Sequence, residues 1–222
     1  MKKAIVFAIL MLGVTSIAQE KINEGTIITK MSISSLDPAY VDEVAKMNDQ
    51  LTIIYFKNDK SRSEVSSRRT GMKTSIVDVS VNKKLILTDN LITGKRFKWE
   101  NLNVNKGNVT KLTDTKIIQG YECSHYQIAS NGQKTQILID VYVTPKISAI
   151  SPEVAAFYKQ IKGFPMHMEM RVKSHGMHIL MQYDVTELKA IKILDSQFNM
   201  SIPDGFIKFS PTIVARQNAT QN

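Results

Sequence analysis

The chain is poor in the residues that most often carry chemistry. Its 222 residues include one cysteine, Cys123, one tryptophan, Trp99, and four histidines, His125, His167, His175 and His178. A single cysteine excludes an intramolecular disulfide, and its place between Tyr121 and Tyr126 reads as a small buried hydrophobe. The sequence has no glycine-rich phosphate loop, no Gly-x-Ser-x-Gly elbow and no His-Glu-x-x-His pair. A zinc site needs about four converging ligands, and only His175 and His178 stand close together in sequence. Internal repeats and low-complexity linkers are also missing, which leaves one domain as the simplest organisation. No stretch beyond the first residues is long and apolar enough to span a bilayer, which takes ~20 residues.

What is present begins with an export signal. Met1-Lys2-Lys3 is a short basic start, Ala4 to Val14 is an uncharged apolar run, and Thr15-Ser16-Ile17-Ala18 supplies small residues around a cut. This order is that of a cleavable signal peptide over residues 1–18, and it implies a periplasmic or secreted product. No cysteine follows the apolar run, so a lipid anchor is not expected. The net charge of +9 falls to about +7 once Lys2 and Lys3 leave. The lysines are scattered and form no dense basic helix, so the charge reads as a solvated exterior rather than a nucleic-acid surface.

Residues 19–210 are expected to form the single domain, with 211–222 as a flexible polar tail. Period-two alternation dominates, the mark of half-buried antiparallel strands. It predicts strands over 25–34, 51–57, 61–70 (polar, read as an outer strand), 72–79 and 84–89. Phe97 and Trp99 share a face before a looser stretch around Asn103 to Asn108. Residues 121–129 and 135–143 flank Asn131-Gly132, a hairpin signal. A final strand is expected over 190–200 and a turn at Pro203-Asp204-Gly205.

The clearest pair is 166–173 with 177–187 around His175-Gly176. Setting Lys173 against His178 places Val172 with Ile179, Met170 with Met181, Met168 with Tyr183 and Met166 with Val185, all apolar. The other side then holds His167 with Asp184, Glu169 with Gln182 and Arg171 with Leu180. A slip by one residue would oppose apolar to polar side chains, so the register is well specified. Two helices are expected to interrupt the strands. Asp37-Pro38 opens one through about Met47, and Ser151-Pro152-Glu153 opens another, with Val154, Phe157, Tyr158 and Ile161 as its apolar stripe and Gly163 as its stop. The fold class is thus α+β, mainly β: a long curved antiparallel sheet with two or so short helices on one face.

Methionine is the most informative residue. Met166, Met168, Met170, Met177 and Met181 share one side of one hairpin. Such a face is either core beneath the helix at 152–162 or an adaptable apolar cavity, because methionine is unbranched and polarizable. The expected cavity lining is Ile139, Val141, Phe157, Ile161, Met166, Met168, Met170, Ile179, Met181 and Tyr183.

Gly120 to Cys123 (Gly-Tyr-Glu-Cys), Val141 to Pro145 (Val-Tyr-Val-Thr-Pro), Gly163 to Pro165 and the Phe-x-x-x-Ile-Pro-x-Gly-Phe ending at Phe198 to Phe206 add a further pointer. In this order, behind a signal peptide, they resemble an exported bacterial family of unknown function related to periplasmic outer-membrane lipoprotein carriers of the LolA, LolB and LppX type. The resemblance implies a half-open antiparallel barrel whose concave side is lidded by helices and holds acyl chains. The arginine that such carriers use for ligand transfer is not matched by a specific residue here. The expectation is a non-enzymatic periplasmic carrier or binding protein for a lipid or lipidated ligand, with no cofactor and no metal. Its partners are that ligand and an envelope protein, with no nucleic acid and no integral membrane segment. The alternatives are an envelope interaction module with a closed core, or a hydrolase built on His167.

Overall fold

Alternating side chains that bury one face along most of the strands produce a single sheet. The computed structural model describes residues 20–45, 50–67, 71–102, 107–132, 135–174 and 176–210. The expected signal peptide and polar tail lie outside the described residues. The strands are β1 (Glu24–Ser35), β2 (Gln50–Lys57), β3 (Lys60–Ser67), β4 (Gly71–Asp78), β5 (Lys83–Asn90) and β6 (Gly94–Asn101). They continue with β7 (Asn108–Ile118), β8 (Tyr121–Asn131), β9 (Thr135–Thr144), β10 (Phe164–Ser174), β11 (Met177–Lys189) and β12 (Ile207–Lys208). All twelve join in the order β12-β6-β5-β4-β3-β2-β1-β11-β10-β9-β8-β7, which leaves the sheet unclosed, with β12 and β7 as its edges. Every pairing is antiparallel except that of β12 with β6.

Mainly β is therefore the class, with one short α-helix among the described residues, α1 (Val41–Ala45). It follows a 3-10 turn at Pro38–Tyr40 that Asp37 caps by accepting a hydrogen bond from the Ala39 amide at 3.1 Å. Val44 is its buried residue; Met47 lies outside the described residues. The second expected helix does not form. Residues 152–162 are successive turns with a 3-10 turn at Ala155–Phe157. The Ser151 hydroxyl bonds the Glu153 carboxylate instead of capping a backbone amide. The neighbours Val154 and Ala155 are buried in two different clusters, a demand that a single apolar stripe does not meet.

Three strand expectations also change. β3 is no outer strand: it lies between β2 and β4, and its Ser61 and Ser63 are buried, small enough to lie under chain that crosses the sheet. β7 forms where no strand was expected, because its alternation is broken by a register shift between Lys111 and Thr115. Residues 190–200 pair with no strand; they cross the outer face with a 3-10 turn at Asp195–Phe198.

Two straps thus complete the fold. The inner strap, residues 145–162, follows β9. Its Ile150 amide donates to Ser61 Oγ at 2.7 Å, and its Pro152 carbonyl accepts from Lys84 Nζ at 3.3 Å, so it reaches from β9 to β5. Ile22 bridges to Ile147 within it. The outer strap, residues 190–209, is tied to β1, β2 and β3: Ile193 N donates to Glu24 Oε1 at 2.5 Å, Lys57 meets Asp195 at 2.8 Å, and Arg62 donates to the Gln197 carbonyl at 3.4 Å. Met200 and Phe206 then pack on Ile76, Leu85 and Leu87.

Candidate functional site

The β10–β11 hairpin takes the register that its side-chain pattern demands: Lys173 opposite His178, Val172 opposite Ile179, Met170 opposite Met181, Met168 opposite Tyr183. β9 extends the same face, setting Val141 beside Met168 and Ile139 beside Met170. The ten expected lining residues divide by depth. Ile139, Val141, Ile161, Met166 and Met168 are buried, whereas Phe157, Met170, Ile179, Met181 and Tyr183 are half-buried. One cluster unites Ile139, Val141, Ile161 and Met168 with Phe157, Met170 and Tyr183, and with Val154 of the inner strap. Met166 belongs to the neighbouring cluster around Ile27, Ile54, Phe56 and Phe164. Ile179 and Met181 join neither cluster.

Burial therefore falls along β10, from Met166 and Met168 through Met170 toward the β10–β11 turn. Where the strap lies over the face, side chains fill the space. A pocket there, lined by residues that include Thr29, Ser151, Glu153, Met168 and Tyr183, has a volume of about 10 Å³, room for roughly one water molecule. Burial, with the Glu153 charge nearby, pushes the Tyr183 phenol well above its ordinary range. Lys84 is held below the usual lysine range by its burial.

The opposite face of the same strands carries a polar ladder. His167 Nδ1 lies 2.7 Å from Asp184 Oδ1, the cross-strand pair that the register implies. A second histidine–carboxylate pair was not legible in the sequence: His125 Nδ1 lies 2.9 Å from Asp114 Oδ2, brought into reach by the register shift in β7. His125 stacks on Tyr142 at 4.4 Å, and the Tyr142 hydroxyl donates to Asp114 at 3.1 Å. Arg171 donates to Asp140 at 2.7 Å and to Glu169 at 2.6 Å. Burial pushes the Asp140 carboxyl up, but bonds from Gln127 and Arg171 outweigh it and hold the group below the usual carboxylate range. These acids are engaged by their neighbours. Among the described residues, no three histidine, cysteine, aspartate or glutamate side chains are placed to hold a metal ion. His175 lies outside the described residues.

No protein-family model matches the chain, and no curated protein matches it. Its fold is similar to part of PNGF-II. Against the structure of PNGF-II in the C2 space group the TM-score is 0.52 at 15% identity, covering 87% of this chain and 32% of that one. Against the P21 structure it is 0.52 at 13% identity, covering 87% and 33%. The chain thus spans about a third of the length of the protein it resembles, and identity this low speaks to fold alone.

Proposed function

We propose that the chain is an exported, non-enzymatic binding protein for a lipid or lipidated ligand, held along the methionine face of β9, β10 and β11. The gradient of burial carries this reading. Apolar residues continue on one face from the core out to Met170, Ile179 and Met181, past the part covered by Val154 and Ile161. An aqueous compartment penalises such a face at about 25 cal/mol per Å² of apolar area left in water. An acyl chain laid on it would remove that penalty, and unbranched methionines adapt to chains of varied shape.

A volume of about 10 Å³ beneath the strap is too small for an acyl chain, so the ligand lies on the half-buried stretch and displaces Phe157 as it extends inward. In this reading the unclosed sheet is a half-open barrel and the inner strap is its lid. The strap's lack of regular helix favours that role, because its inner contacts are side-chain packing and a few hydrogen bonds. The filled interior favours a second reading, an envelope module that binds a protein through the same half-buried face.

Titration of the delipidated protein with a fluorescent fatty acid separates the two. The proposal expects saturable emission enhancement, weakened about tenfold or more in Met181→Glu, which sets a carboxylate on the apolar face. His167→Ala, on the opposite face, should bind as the parent does. Absence of saturable binding in the parent would leave the protein-binding reading.

A further inference from the structure

The antiparallel order places the β1–β2, β3–β4, β5–β6, β8–β9 and β10–β11 connections at one end of the strands. Large apolar side chains are exposed there: Leu36 and Val41 between β1 and β2, Leu51 at the start of β2, Met72 at the start of β4, and Leu91 and Ile92 between β5 and β6, the last two adjacent on one turn. The opposite end exposes Val81, Trp99 and Ile117, with Ile191 and Leu194 where the outer strap begins. Leu91 is 96% exposed and Ile92 77%.

The turn that carries them is built to present them. Asn90 Oδ1 accepts from the Ile92 amide at 2.8 Å and the Thr93 amide at 3.1 Å. Arg96 Nε donates to the Thr93 carbonyl at 2.9 Å. Gly94, at φ 73°, returns the chain to pair with Asn90. The backbone is thereby supported from within the turn, and two adjacent aliphatic side chains are left exposed. Around them stand Lys73, Lys95 and Arg96, with Lys95 reaching Asp89 at 4.0 Å, whereas the acids Asp37, Asp42 and Glu43 lie farther along the rim beside Leu36 and Val41. An apolar tip ringed by cations matches the boundary of an anionic bilayer, where aliphatic groups enter the acyl layer and ammonium or guanidinium groups meet phosphates.

We propose that this rim is a membrane-contact surface, with Leu91 and Ile92 inserting into the headgroup layer of an anionic phospholipid bilayer. The site stands on its own geometry. It also lies at the end toward which the methionine face opens, since β10 loses its cover in the direction of the β10–β11 turn. Contact there would point the apolar face toward the bilayer rather than toward water.

Co-sedimentation of the purified chain with vesicles of equal phosphatidylglycerol and phosphatidylcholine, and with vesicles of phosphatidylcholine alone, tests it. The expected result is partition onto the anionic vesicles, weaker on the neutral ones and weaker at high salt. Leu91→Asp with Ile92→Asp should reduce it about tenfold or more, whereas Ile117→Asp at the other end should leave it unchanged. Both lost side chains are exposed, so the melting temperature should hold. A Leu91→Cys variant carrying an environment-sensitive dye should shift its emission to the blue on adding anionic vesicles; Cys123 is buried and takes no label. No partition onto anionic vesicles, partition indifferent to the double substitution, or no dye shift overturns the proposal. A dimer that the double substitution dissociates, with no vesicle binding, overturns it in favour of contact between copies. The double variant should titrate soluble fatty acid like the parent, so failure here and failure of the ligand-binding reading are separable.

Discussion

Cys123 shows how far one residue type can be read from its surroundings. Its side chain is fully buried, its Sγ lies 3.4 Å from the Tyr121 carbonyl, and burial pushes the thiol from 9.0 up to about 11. The thiolate is the reactive form, so Cys123 should resist an aromatic disulfide reagent in the native protein and react on unfolding. The same shift couples folding to alkaline pH. As pH rises past 9.0 the unfolded thiol ionises while the folded one stays neutral. Stability should therefore be full below that value and fall by about 2–3 kcal/mol as pH reaches the folded value. Urea unfolding at stepped pH checks this, with Cys123→Ala as the variant in which the thiol's share of the dependence disappears. Fast labelling of the native thiol would contradict the placement. The burial of this cysteine was readable from its aromatic neighbours. The Asp114–His125–Tyr142 contacts were not, because a register shift in β7, not sequence spacing, brings Asp114 to His125.

At the scale of elements, the hairpin of β10 and β11 was legible because each side chain on one face is apolar and each slip carries a cost. The inner strap was misread for an equally physical reason. Ser151-Pro152-Glu153 carries every local signal of a helix start, yet Ser151 is buried and bonded to Glu153, and Val154 and Ala155 serve two clusters. Tertiary burial overrode local propensity. The strap's exit is also fixed by geometry. Gly163 has φ 126°, and a Cβ there would stand 2.2 Å from the Thr144 carbonyl oxygen. Gly176, at φ 85° in the β10–β11 turn, has open space around its Cβ position. Gly163→Ala should therefore cost more than Gly176→Ala, which bears only the left-handed penalty of roughly 1–2 kcal/mol. Denaturant midpoints of the two variants decide this; equal losses would mean that the strap yields at its exit.

At the scale of the whole molecule, one unclosed sheet carries a strap on each side. The outer strap is tied at both ends, by Glu24, Lys57 and Arg62 at its start and by the β12–β6 pairing at its finish. The inner strap crosses a face that is core at one end and half-exposed methionine at the other. The strand-rich class was readable from periodicity. The straps were not, since chain that crosses a sheet without joining it leaves no period in the sequence. That same inner strap leaves about 10 Å³ beneath it, and the central claim is that this filled state is the unliganded one. Native mass spectrometry of the protein recovered without detergent from its own cells tests the claim most directly. A bound ligand should appear as a population heavier by the mass of a lipid or lipidated species, released on mild activation and absent from a Met181→Glu variant. A single unliganded mass, repeated across preparations, would contradict it.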